Sequence, residues 1–470
     1  MVTNGYLRIA TGCAAAWALA LALTPALGYR PTPYTLGYEE RRADLPRYEA
    51  YAPLNARESK HFVIGSCEIS LPHIGNDLSD PNRRARLGAS AWFGNVASSV
   101  MRNEYAAREE VTFYDVSAPN TTMGDHTLFL FHALQAPNVK SVIYINGLGI
   151  GHSKSFEPWR ALEVMAVLEE LVARYPGAGS EIVSYQRLLA KAPTYRKAVE
   201  RYGRDWRNLI EPETFVFLGK TNVGPPLFSK AGAQLLASKM KQVLGGYLSG
   251  LTEALLYSLE VVADMRTRAR DLVLRENLDW VAAQYGRPEH EAPVTVQRGG
   301  NYLLNPETEE ENRVWLRMTA AIIREHGAKL VIYAQPMLTI LPEDYRRSFR
   351  PKYVETIRGW LTSYDPVIID HTTEHPLTQQ DFLQTCDKGE CKSTGFYVNL
   401  VGRLKQTRLL INAMIDAGLI DAGKRTDSVF WRGERDLPLT KRCIRVFGET
   451  SNGCVDWPTD GQGQQPATWK

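Results

Sequence analysis

A hydroxyl and a thiol stand side by side at Ser66-Cys67, directly after Gly65 and directly before Glu68. Either group can attack an acyl carbon, but their needs differ. A serine must hand its proton to an adjacent base at neutral pH. A thiol is already partly ionised when a cation or a helix N-terminus lowers its pKa. Cys67 is therefore the first candidate nucleophile, and Ser66 is the candidate in a shifted register. The other reading of Cys67 is a buried, inert thiol, a common state of free cysteine.

A base is offered by Asp370-His371-Thr372-Thr373-Glu374-His375. His371 is the candidate base, with Asp370 or Glu374 to orient it. The alternative is that these are ordinary polar groups of a loop. His73, His126 and His152 also fall on loops at or near the same edge. His371 and His375 have a spacing that binds metal when a helical face aligns it. Here Pro376 follows in a loop, so no metal is expected, and no cofactor is expected elsewhere.

Such residues work only if strands carry them to one edge. Phe62-Val63-Ile64 follows the charged run Arg57-Glu58-Ser59-Lys60 and ends at Gly65, which predicts a short buried parallel strand. Further strands are predicted at Val111 to Val116, Ser141 to Ile145, Lys329 to Ala334 and Pro366 to Asp370. Helices are predicted between them, at about Asp125 to Leu134, Thr308 to His326 and Lys352 to Tyr364. A last helix is predicted from Gly402 to Ala417. Gly327 should stop the second of these. Strand–helix–strand alternation is the pattern of a parallel α/β sheet, whose chemistry sits outside the carboxyl ends of the strands. Residues 151–307 break the rhythm with helical stretches and read as an insertion between 61–150 and 308–420. Within it Val243 to Val262 is apolar, but Glu253 and Glu260 speak for a buried bundle helix rather than a membrane span.

The net charge of +3, from 55 basic and 52 acidic residues, gives no electrostatic footprint for nucleic acid. Arg8 is the lone charge before an apolar run from Ile9 to Gly28, long enough to span a bilayer. Residues 1–28 are expected to be a signal peptide or membrane anchor, 29–60 a linker, and the bulk periplasmic or otherwise extracytoplasmic. Cys13 does not fit a lipidation site, because the apolar stretch follows it. Cys386 and Cys391 flank Asp-Lys-Gly-Glu, and Cys443 and Cys454 flank a stretch with Asn452-Gly453. Both pairs read as local disulfide loops of an oxidising compartment. That leaves Cys67 as the unpaired thiol of the exported part.

With these residues placed, the chain resembles the SGNH/GDSL hydrolase superfamily. It looks most like the membrane-anchored extracytoplasmic branches that act in cell-wall D-alanylation and exopolysaccharide O-acetylation. The resemblance spans about 60–150 and 308–418 and implies a flavodoxin-like, three-layer α/β fold with a large helical insertion and an N-terminal signal or anchor helix. In the family the third residue of Gly-Asp-Ser or Gly-Ser-Ser is the nucleophile; here it is Cys67. Ser117-Ala118 occupies the region of the oxyanion glycine, and Asn146-Gly147 is a loose counterpart of Gly-x-Asn-Asp. The final Asp-x-x-His frame fits Thr394 to Gly402, with Thr394 in the aspartate position and Tyr397 in the histidine position. A tyrosine with a pKa of about 10 is no base at neutral pH.

Two functions follow from this pattern. One is an exported acyl-transferase or esterase that modifies acylated surface polysaccharide or envelope material, with Asn146, Gly147 and loop amides at the oxyanion. The other is an inactive relative that serves as binding or scaffolding partner of a membrane acyltransferase or envelope complex. Under either, non-reducing peptide mapping of exported protein should recover Cys386–Cys391 and Cys443–Cys454. Four free thiols would remove the case for an oxidising compartment.

Overall fold

The computed structural model describes residues 57–65, 69, 92–116, 126, 130, 133–145, 165, 168–191, 196, 199–200, 294–296, 309–337, 354–372, 375–377, 381–387, 390–423, 442–443 and 454–455, and parts of 265–278. The expected signal or anchor segment, the linker through residue 56 and Cys13 lie outside them. Among the described residues no helix is long and apolar enough to cross a membrane.

Five parallel strands form one sheet: β1 (Ser59–Ile64), β2 (Val111–Asp115), β3 (Val139–Ile145), β5 (Lys329–Ala334) and β6 (Val367–Asp370). Their order is β2-β1-β3-β5-β6. The strands predicted after the interruption thus join the sheet begun at β1, so the core is an α/β sheet assembled from distant parts of the chain. Strand order reverses at β1, between β2 on one side and β3 on the other.

Parallel sheets need cover on both faces, and side-chain alternation sorts the residues accordingly. Val63, Phe113, Ile143, Ile145, Val331 and Tyr333 pack into one core with helices α1 (Phe93–Glu104) and α5 (Leu400–Asp416). On the alternate positions Tyr144 meets Trp315 of α3 (Glu309–Glu325), edge to face at 5.8 Å. Burying side chains of this size contributes about 1.5–3 kcal/mol each before chain entropy is set against it.

β1 starts earlier than the charged run Arg57-Glu58-Ser59-Lys60 suggests, and Glu58, Ser59 and Lys60 are all buried. The charges are tolerated because they are paired and hydrogen-bonded. Lys60 Nζ lies 3.5 Å from Glu58, and the Tyr114 and Thr112 hydroxyls donate to the same carboxylate. Burial still pushes the Glu58 carboxyl up and the Lys60 amine down from their ordinary values.

The helix ends follow sequence logic. Gly327 takes φ +85° after α3, and Ala328 N–H reaches back to the Ile323 carbonyl at 3.1 Å, closing the helix with a left-handed glycine. Helix α4 (Thr356–Leu361) is shorter than expected and runs into a 3-10 turn at Thr362–Tyr364. At the start of α5 the Asn399 side chain accepts from Gly402 N–H at 2.9 Å.

A hairpin of β7 (Phe382–Asp387) and β8 (Glu390–Val398) joins β4 (Val294–Val296) in a second sheet of order β4-β8-β7. Its register sets Cys386 opposite Cys391, and β9 (Arg442–Cys443) with β10 (Cys454–Val455) sets Cys443 opposite Cys454. Directly opposed antiparallel residues have Cα atoms about 4.5–5.5 Å apart, within the range a disulfide spans.

The chain divides into two compact units, of which the strands and helices above form one: residues 58–123, 139–153 and 266–470. The other holds residues 1–57, 124–138 and 154–265. Within it α2 (Gly179–Lys191) follows a 3-10 turn at Pro176–Ala178 and buries Ile182, Tyr185 and Leu189. This division differs from the insertion boundaries expected at 151–307. Leu274 and Leu278 pack into the sheet's core, and Asp271 pairs with Arg102 of α1 at 2.7 Å. β4, too, lies inside the expected helical block, because its partner is β8.

A Cβ at Gly402 would collide with the Asp381 carbonyl, a backbone atom fixed by the Asn399 N–H at 2.9 Å. Gly402→Ala should therefore lower unfolding stability in urea by about 1–3 kcal/mol, the usual cost of overpacking.

Candidate functional site

The carboxyl edge of the sheet is where the sequence placed its chemistry. β1 ends at Gly65, and a Cβ there would sit 2.8 Å from Ile69 Cγ2 and 3.4 Å from the Ile145 carbonyl oxygen. Glycine is required because the chain returns against the strand end while β3 ends beside it. Ser66, Cys67 and Glu68 follow one strand end and Asn146 and Gly147 the other; all lie outside the described residues, as do Ser117 and Ala118. The strand ends that precede them are nevertheless neighbours at the reversal of strand order, the place where open α/β sheets bind ligands.

Asp370 ends β6, and His371 and His375 follow close to it. Asp370 Oδ1 accepts from the Thr372 N–H at 3.0 Å and hydroxyl at 2.6 Å, so that oxygen shapes the loop. His371 N–H donates to the Ala334 carbonyl at 2.9 Å, and its ring meets Tyr333 edge to face at 5.7 Å. Its Nδ1 is buried without a hydrogen-bond partner. Burial lowers the His371 pKa, and His375 adds to this while the Asp370 charge opposes it. His371 is thus neutral at pH 7. His375 Nε2 lies 2.7 Å from the Met337 carbonyl and carries the proton, since a carbonyl only accepts. Burial lowers its pKa as well, against the Met337 contact and the Asp381 charge.

Three strand spacings separate β6 from β1, roughly 14 Å at about 4.8 Å each. The structure therefore groups His371 with Asp370 and His375, and groups the end of β1 with other residues. Those residues are Asp115 and Arg403, neither of which the sequence reading singled out. Asp115 ends β2, is buried, and takes the Gly94 N–H on both carboxylate oxygens at 2.8 Å. Burial pushes its carboxyl up to about 7, against the Gly94 bond, the Arg403 charge and the Asn95 N–H. Arg403, on the first turn of α5, is buried, and its Nη1 donates to the Ile69 carbonyl at 2.6 Å. Its signal was legible: Arg403, Thr407, Leu410 and Met414 recur at helical spacing, so the arginine shares the buried stripe.

A histidine–serine contact sits away from this edge. His61 Nδ1 is 2.8 Å from Ser141 Oγ, the ring stacks on Phe113 at 5.2 Å, and Nε2 is buried without a partner. The pair is closed inside the sheet and cannot meet a substrate. His126, a histidine the sequence also offered, is buried in the other compact unit, whereas His73 and His152 lie outside the described residues. Among the described residues no group of three or more histidine, cysteine, aspartate or glutamate side chains could hold a metal ion. No model of a known protein family matches the chain, and no curated protein matches it.

Burial brings His61 down to about 3, with the Lys140 charge pushing the same way. The unfolded chain, with a pKa of about 6.5, binds this proton first. The stability His61 permits is present above pH 6.5 and is lost as pH falls from there toward 3. Relative to His61→Gln, the wild type should lose about 1.4 kcal/mol per pH unit across that window. Urea unfolding of both proteins at matched pH measures it, and the comparison cancels the opposite trend of Asp115.

Proposed function

We propose that the chain is an SGNH-like acyl-transferase or esterase on a flavodoxin-like three-layer sheet, exported and acting on acylated cell-surface polysaccharide or other envelope material. The observation that carries this reading is the adjacency of the β1 and β3 ends where strand order reverses. In the chain, the segments with Ser66-Cys67 and with Asn146-Gly147 follow these two strand ends. Strand order β2-β1-β3-β5-β6, numbered along this sheet as 2-1-3-4-5, supports the flavodoxin-like form.

In this reading the Cys67 thiolate attacks the acyl carbonyl and forms a C–S bond. The carbonyl electrons pass to oxygen, where the Asn146 amide and the loop amides receive the charge. Collapse breaks the donor's C–O bond, and the alkoxide leaves with a proton taken from water. An acceptor hydroxyl, or water, then displaces the thiolate from the thioester. The acceptor gives up its proton to water. At roughly three strand spacings from β1, His371 is too far to take that proton directly. No cofactor is needed.

A second reading has its own support. Asp370 Oδ1 is spent on Thr372, and the Asn399 and Gly402 of the matched frame are accounted for by capping and close packing of α5. An inactive relative that partners a membrane acyltransferase, attached through residues 1–28, would keep those features without Thr394 or Tyr397 acting as base.

Full-length protein should hydrolyse a generic aryl acetate ester, Cys67→Ser should lose at least about a hundredfold in kcat/KM, and Ser66→Ala should retain most of it. Folded wild type with no turnover would turn the assignment to the partner.

A further inference from the structure

His371 is the residue after β6, and its backbone still follows the sheet. Its N–H donates to the Ala334 carbonyl at 2.9 Å, which extends the parallel register that pairs Ala334 with Asp370 and sets His371 opposite Gln335. Side chains alternate along a strand, so His371 takes the face of Ile369, the one that packs with α5. There its ring meets Tyr333 edge to face at 5.7 Å. On the same face Gln335 accepts from the Gln406 amide of α5 at 2.9 Å, and both glutamines are buried. The His371 ring is half-buried, with Nδ1 on its buried side.

A neutral imidazole carries one proton, and the place of that proton decides which nitrogen gives a hydrogen bond. His371 is neutral, because burial outweighs the Asp370 charge and His375 works in the same direction as burial. Its Nδ1 has no partner of either kind. A proton there would be a buried donor without an acceptor, which folded proteins all but exclude; an unfilled acceptor is better tolerated. The proton is therefore on Nε2, across the ring from the buried nitrogen. His375 carries its proton on the same atom but spends it on the Met337 carbonyl at 2.7 Å. Of these two histidines, His371 is the one with a donor to offer.

We propose that His371 is a binding residue: its Nε2–H holds the carbonyl oxygen of an acyl group on the ligand, at the carboxyl edge of β5 and β6. A carbonyl oxygen only accepts, so one fixed donor satisfies it, whereas a hydroxyl would bring a proton that the buried Nδ1 cannot take. An anion is disfavoured by the Asp370 charge beside the ring. The site lies roughly 14 Å from the end of β1, at three strand spacings of about 4.8 Å. It therefore reads a second acyl substituent of a polymer and not the one that reacts. For its ligand this role rests on the acyl-polysaccharide reading under Proposed function.

The test takes two measurements on full-length protein. The first is NMR of protein labelled with heavy nitrogen at histidine, with the His371 ring assigned by its loss in His371→Gln. The spectrum should place the proton on Nε2, and a proton on Nδ1 overturns the proposal. The second is titration calorimetry with O-acetylated xylotetraose and with the same sugar deacetylated, in a Cys67→Ala background so that the acetyl groups survive. The acetylated sugar should bind about three- to tenfold tighter, the worth of one hydrogen bond. His371→Phe should erase that difference, and His371→Gln, which keeps a donor, should retain part of it. Equal affinities, no binding of either sugar, or a preference that survives His371→Phe each overturns the proposal. If His371→Phe does not fold, the ring signal decides: it should move with the acetylated sugar alone, and a signal that stays still overturns the proposal. Ester turnover by the unsubstituted protein is measured alongside. Its absence with the acetyl preference intact would sink the acyl-transfer reading and leave the role of His371 standing.

Discussion

The carboxylate of Asp115 at the start of α1 is the contact on which this architecture turns. Trp92 precedes the helix and offers no side-chain cap, so the exposed N–H groups of the first turn need an acceptor from elsewhere. Asp115 provides it from the end of β2, and the negative charge suits the positive end of the helix. Glycine stands at 94 because a Cβ would lie 2.8 Å from the carboxylate itself. Burying a carboxylate is costly, which is why its pKa rises toward neutrality. The same charge draws on Arg403, and through it β2, α1, α5 and the loop after β1 are tied into one arrangement.

Other buried charges repeat this logic. Glu104 of α1 takes Arg408 of α5 in a two-pronged pair at 2.9 and 3.0 Å, and Lys405 meets both oxygens of Asp381 at 2.8 and 2.9 Å. Such pairs add little net stability over apolar packing, but breaking one strands an uncompensated charge. We regard them as registration devices: α5 slides or turns on α1 only by unpairing Arg408, and on the segment before β7 only by unpairing Lys405. The helix that carries Arg403 is thereby held in place at both contacts.

The frame that most suggested a catalytic family illustrates how packing and chemistry are confounded in a short motif. Asn399 and Gly402 match it because a helix entering against Asp381 needs a cap and a residue without a side chain. Those needs are met whether or not a base stands nearby. The histidines that do stand at the edge, His371 and His375, are bound to the end of β5 and the residues just after it, through Ala334 and Met337. Their distance from β1 follows from strand order, which no local pattern records.

What the sequence determined by itself is the set of local choices. Runs such as Val111 to Val116 and Lys329 to Ala334 are strands because β-branched and aromatic residues, buried on both faces, have no other stable use. Gly327 ends α3 because a left-handed residue is needed there, and Gly65 ends β1 because the returning chain leaves no room for a side chain. Both are visible as glycines at the right places. The return of alternation after residue 308 likewise foretold that the sheet would resume. Tertiary structure alone decided which strand lies beside which, and hence that the ends of β1 and β3 are neighbours while His371 is remote. It also decided that Glu58, Lys60, His61 and Asp115, polar residues in a strand or at its ends, would be buried, since their cost is met by partners as far off in the chain as Tyr114, Ser141 and Gly94. The period of two fixes which face a residue takes, but the energy of burying a charge depends on what faces it, and that is a property of the assembled fold.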